Sequence, residues 1–77
     1  METIDFEIEK EKAKTFKKYS TYVFIQTKEY GYNGYIVEVN EDDFIFMDDK
    51  IPAPFPIPFI TLTKSICPSR KEARKYD

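Results

Sequence analysis

The 77-residue sequence contains no histidine, no tryptophan, one cysteine (Cys67) and two glycines. Without histidine, no Cys/His zinc set, serine-type triad or Cys/His nucleophile pair can be assembled within one chain. A single cysteine closes no internal disulfide, which fits a reducing compartment, so the expected location is cytoplasmic. The longest stretch without charge, Ile51 to Thr63, is interrupted by Pro52, Pro54, Pro56 and Pro58. It is too short and too broken for a membrane-spanning helix. The first residues, with Glu2, Asp5 and Glu7, lack the basic start and apolar core of a signal peptide. A chain of this size buries only roughly 60 to 65% of its unfolded surface, leaving little room for an enclosed substrate cavity. These features point to a single domain over residues 1–77 that binds or assembles, with no catalysis, cofactor, metal or small-molecule substrate expected.

What is present is apolar enough to fold and charged enough to dissolve: 42% hydrophobic, 17% aromatic and 34% charged residues. The net charge of −2 conceals an uneven distribution. Lys10, Lys12, Lys14, Lys17 and Lys18 form one basic run, and Arg70, Lys71, Arg74 and Lys75 form another. Between them, the stretch from Glu29 to Asp49 carries acids and no lysine or arginine. Basic runs attract phosphate backbones by releasing counterions, and they also serve as solvated helix faces.

Residues 5–18 read as a helix, with Asp5 as N-cap, acids in the first turn and lysines in the last, as the helix dipole prefers. Ile4, Phe6 and Ile8 alternate at a period of two, so a strand competes for the same residues. From Ser20 the pattern is β. Tyr22 to Thr27 form a first strand, Gly31 and Gly34 mark a turn, and Tyr35 to Val39 and Phe44 to Met47 follow as strands. Asn40-Glu41-Asp42-Asp43 and Asp48-Asp49-Lys50 supply the turns between elements.

The prolines at 52, 54, 56 and 58 would all remove N–H donors from the same strand edge, because successive N–H groups of an extended chain point to opposite edges. Ala53, Phe55, Ile57 and Phe59 would then share a face while the other edge pairs normally. A polyproline-II connector without pairing is the competing reading. Ile60 to Ile66 reads as the last strand, ended by Pro68, and residues 69–77 as a charged tail. The expected fold class is mainly β with one N-terminal helix: a small five-stranded barrel of SH3-like or Sm-like type over residues 20–68.

Three tyrosines surround two glycines at Tyr30-Gly31-Tyr32-Asn33-Gly34-Tyr35, and such rings either stack on bases or proline-rich peptides or cover a barrel end. Glu41-Asp42-Asp43 and Asp48-Asp49 lack calcium-loop spacing and read as solvated turns. Cys67, before a proline at a strand end, reads as a small buried hydrophobe.

The stretch from Gly31 to Asp49 resembles the first motif of the Sm, LSm and Hfq family of RNA-associated ring proteins. It has Gly34 in the second strand, Asn40 six residues later, and Phe44-Ile45-Phe46-Met47 running into Asp48-Asp49. Ile66-Cys67-Pro68-Ser69-Arg70 is similar to the ending of bacterial Hfq-type chains, and the helix falls where that family has one. The resemblance covers roughly residues 8–70. It implies an Sm-like barrel, RNA as a partner, and a homo-oligomeric ring of six closed by pairing the fourth strand with a neighbour's fifth. The family's stacking position falls on Asp42 and its base-reading position on Phe44, so the usual pocket is altered. RNA contacts are therefore expected from Lys17, Lys18, Arg70 and Lys71 to phosphates, with Tyr30 and Tyr32 stacking. The alternative is a protein-interaction or assembly module that keeps the barrel without binding RNA. For assembly, the expected seam is Phe59 to Thr63 against Ser65 to Cys67 of the next chain, with the proline segment as a rim.

Overall fold

The computed structural model describes residues 4–69. Helix α1 spans Phe6–Lys18, so the helical reading of the N-terminus prevails over the strand. Its start is fixed by Asp5, whose carboxylate accepts the N–H groups of Glu7 and Ile8 at 3.0 and 3.3 Å. It ends at Tyr19, and Ser20, with φ of 52°, takes the left-handed conformation that turns the chain into the sheet. The buried stripe of the helix is Glu9 and Ala13, with Phe16 half-buried beyond them. Phe6 and Ile8 point outward.

Five strands follow: β1 (Val23–Gln26), β2 (Gly31–Val39), β3 (Asp43–Asp48), β4 (Phe55–Pro58) and β5 (Cys67–Pro68). They form one antiparallel sheet in the order β4-β3-β2-β1-β5. The fold is thus mainly β with an N-terminal helix, as the pattern predicts. The sheet is open: among the described residues, β4 and β5 lie at its two edges without pairing to each other. A bulge in β2 between Ile36 and Glu38 leaves Val37 without a partner in the register and bends the sheet.

Val23, Ile25, Phe44, Phe46 and Ile66 are the largest fully buried side chains, joined by Ile36, Ile57, Phe59 and Leu62. Strand alternation places Val23 with Ile25 and Phe44 with Phe46 on the inner face. Each such side chain contributes about 1.5 to 3 kcal/mol on burial. No helix among the described residues is long and apolar enough to cross a membrane.

Four local readings of the sequence are corrected. The β1–β2 turn lies at residues 27–30, closed by the Thr27 N–H to the Tyr30 carbonyl at 2.9 Å, whereas Gly31 and Gly34 are both inside β2. The segment 60–66 is not a continuous strand. A 3-10 turn, η1 (Phe59–Thr61), interrupts it, held by the Thr61 hydroxyl to the Pro58 carbonyl at 2.7 Å and Leu62 N–H to the Phe59 carbonyl at 3.1 Å. Beyond it Leu62 makes one bridge to Thr27, and the Thr63 N–H donates to the Gln26 carbonyl at 3.0 Å. Phe59 to Thr63 is therefore not a continuous extended strand. Cys67 is exposed, because it pairs with Phe24 on the face opposite Val23 and Ile25. Ala53 lies outside β4 and is also exposed.

The proline reading divides differently. Pro56 and Pro58 belong to a paired strand, with Phe44 opposite Ile57 and Phe46 opposite Phe55, while Pro52 and Pro54 lie in the preceding turn region.

Candidate nucleic-acid interface

The β1–β2 hairpin and β4 meet at an open groove of about 370 Å³ lined by Thr27, Lys28, Glu29, Tyr32, Phe55 and Pro56, with Ile57, Pro58 and Thr61 completing the wall. The hairpin tip is built by Thr27, whose hydroxyl accepts the Tyr30 N–H and donates to the Tyr30 carbonyl, both at 3.1 Å. This local loop projects Tyr30, which is 61% exposed. Alternation along β2 puts Tyr32 on the same face as Tyr30, and the ring centroids are 6.1 Å apart. Tyr32 in turn packs on Phe55 at 5.3 Å and on Phe46 at 6.3 Å. An aromatic series thus runs from an exposed ring to the buried core. Burial first, then the neighbouring Tyr30, Asp48 and Glu29, raises the Tyr32 phenol above its ordinary pKa, so the ring stays neutral at physiological pH.

Lys17 and Lys18 are exposed in the last turn of α1, which leads into the Val23 end of β1. Lys18 places its ammonium 5.5 Å from the centre of the Tyr19 ring. Tyr30 and Tyr32 flank the Gln26 end, so β1 separates these lysines from the groove. Arg70 and Lys71 lie outside the described residues. Lys28 lines the groove beside Tyr32, and, standing alone in a turn, it carries no sequence signal of its own. The sequence pattern puts Phe55 on the apolar face of a strand; its contact with Tyr32 depends on the β3–β4 pairing and has no local signal.

The positions that carry the family resemblance are structural. Gly34 is buried at the contact of β2 with β3. Asn40 closes the β2–β3 turn, its amide donating to the Asp43 carboxylate at 2.9 Å and its N–H to the Asp43 carbonyl at 2.8 Å. Asp42 is exposed and its carbonyl accepts the Phe59 N–H at 3.0 Å. Phe44 is wholly buried, so it cannot meet a base from outside.

The acidic turns also have structural work. Asp48 accepts the N–H groups of Asn33 and Lys50 at 3.2 and 2.8 Å, and Asp49 accepts a hydrogen bond from the Tyr22 hydroxyl. No group of metal-ligating side chains is present among the described residues. Burial, the hydrogen bond to Asp49 and the surrounding charge push the Tyr22 phenol up to about 12. Because the folded value exceeds the unfolded value of about 10, Tyr22 contributes stability below pH ~10 that is lost as pH rises through about 12. An NMR titration of ring-labelled tyrosine is expected to show one ring ionising last, and Asp49→Asn to bring that ring closer to the others. An unchanged titration in the variant would remove Asp49 as a cause.

No family model, no curated protein and no solved structure matches this chain.

Proposed function

We propose that this chain is a noncatalytic, Sm-like RNA-binding module that holds single-stranded RNA by stacking bases on the Tyr30–Tyr32 face of the hairpin groove. The observation that carries this reading is the exposed Tyr30 ring, fixed by the Thr27 loop and continued inward by Tyr32 and Phe55. A base added to such a platform gains about 1 to 3 kcal/mol without sequence-specific hydrogen bonds. Lys28 supplies a phosphate contact beside the groove, and Lys17 and Lys18 supply a second contact along the path of a longer strand. The helix ahead of five antiparallel strands supports the Sm-like part of the proposal.

Fluorescence anisotropy with U-rich and A-rich oligonucleotides over a salt series tests the reading. Binding is expected to weaken steeply with salt, and Tyr30→Ala to weaken it about 5- to 150-fold, the equivalent of about 1 to 3 kcal/mol. No binding at low salt, or an unaffected Tyr30→Ala variant, would sink it.

A second reading, a protein-interaction module, is favoured by the groove wall itself, where Pro56, Ile57 and Pro58 face a rim in which Glu29 offsets Lys28. Pull-downs with and without nuclease separate the two: partners that survive nuclease support this reading, and partners lost with the RNA support the first.

A further inference from the structure

We propose that, among the described residues, both open edges of the sheet are closed to strand addition, so that the chain remains a monomer in place of the ring of six that the family resemblance implies, and its partners meet it through side chains. The Phe59 N–H reaches the Asp42 carbonyl at 3.0 Å, and the register opposes Phe44 to Ile57 and Phe46 to Phe55. By alternation, residues 55, 57 and 59 face β3 and residues 56 and 58 face outward. Both outward residues are proline, so the free edge of β4 offers no donor. One outward carbonyl, that of Pro58, already accepts the Thr61 hydroxyl.

The opposite edge is closed by different means. The Ser69 N–H donates to the Tyr22 carbonyl at 2.9 Å, which turns residues 67 and 69 toward β1 and residues 66 and 68 away. The Ile66 N–H is held by the buried Glu9 carboxylate at 2.7 Å, and residue 68 is proline. A hydrogen-bonded antiparallel pair needs an N–H from each strand. Between β4 of one chain and residues 66–69 of another, neither side has one to give. Removal of donors from exposed edges is a recognised protection against edge-to-edge association.

Light scattering coupled to size exclusion, on nuclease-treated protein from micromolar to millimolar concentration, is expected to give the mass of one chain throughout. The double substitution Pro56→Val/Pro58→Val restores two outward donors on β4 while β5 stays closed. It is expected to give a concentration-dependent twofold mass through β4 pairing with β4 of a second copy. Circular dichroism checks that the variant is folded; should it not be, Pro56→Val alone, which leaves the Pro58–Thr61 turn intact, restores one donor and is expected to show weaker doubling. A multimeric parent protein, or a folded donor-restored variant that stays at one chain, would overturn the proposal. Neither outcome bears on the anisotropy experiment, so this inference and the RNA reading can fail separately.

Discussion

Gly34→Ala is expected to destabilise the fold by about 3 kcal/mol or more, at the upper end of what overpacking produces. Gly34 lies mid-strand in β2, opposite Val23 on one side and Asp48 on the other. A Cβ on it would sit 1.9 Å from the Met47 carbonyl oxygen, 2.9 Å from the Met47 carbonyl carbon and 3.0 Å from the Asp48 Cα. All three are backbone atoms of β3, so no side-chain rotation relieves the clash. Strands β2 and β3 would have to separate at this point. The requirement is close approach and not a left-handed conformation, since no glycine has positive φ.

A chain of this length has a total stability of only about 4 to 11 kcal/mol, so the loss is a large fraction of it. Thermal melting followed by circular dichroism should show a drop of about 12 to 24 °C for a 3 kcal/mol change. Gly31→Ala is the control. There the added Cβ meets the Phe24 ring at 3.1 Å and the Gln26 amide oxygen at 3.2 Å, both side-chain atoms that can yield. Its expected cost is below about 1 kcal/mol. Equal melting temperatures for the two variants would contradict the tight β2–β3 contact.

Where the sequence signal was local, it carried over to the structure. Asp5 as N-cap and the acid-to-lysine gradient of α1 needed nothing beyond the helix itself. Asn40 to Asp43 made a turn because its polar side chains bond within it. Pro56 and Pro58 fixed which edge of β4 could pair, since proline withdraws its donor in any context. The readings that failed depended on distant partners. By residue type Gly34 resembles a turn residue, although the family resemblance puts it in the second strand, where it lies with the carbonyl of Met47 beside it. The apolar alternation of residues 60–66 resembles a strand, but Ile60 is left 73% exposed once Thr61 bonds back to Pro58.

The candidate site divides in the same way. Tyr30 and Tyr32 stand out in the sequence because they belong to the tyrosine and glycine cluster at residues 30–35. Phe55 and Lys28 join them only through the β3–β4 pairing and the hairpin turn. The lysines at 17 and 18, prominent as a sequence run, are displaced from the tyrosines by the length of β1.

Glu9 is the residue with the least sequence signal and one of the largest expected effects. In a helix rich in charge it resembles any solvated acid, yet it is 3% exposed. Its carboxylate accepts the Ile66 N–H at 2.7 Å and the Ser65 hydroxyl at 2.6 Å. Lys12 donates to the same Ser65 hydroxyl and lies 3.8 Å from the carboxylate. These contacts join the helix to the chain entering β5 across more than fifty residues of sequence. Glu9→Ala would leave the Ile66 N–H without its acceptor next to a fully buried side chain. Hydrogen bonds to a charged group contribute about 1.5 to 3 kcal/mol each, so the expected loss is about 3 kcal/mol. Glu9→Gln keeps one acceptor oxygen for the Ile66 N–H and is expected to lose roughly half as much. Urea denaturation gives the two energies, and hydrogen exchange at the Ile66 amide shows whether the lost bond is the cause. Exchange there should accelerate in Glu9→Ala and stay close to the parent in Glu9→Gln. A Glu9→Ala variant as stable as the parent, with the Ile66 amide still protected, would mean that the helix is held by Ala13 and Phe16 packing alone.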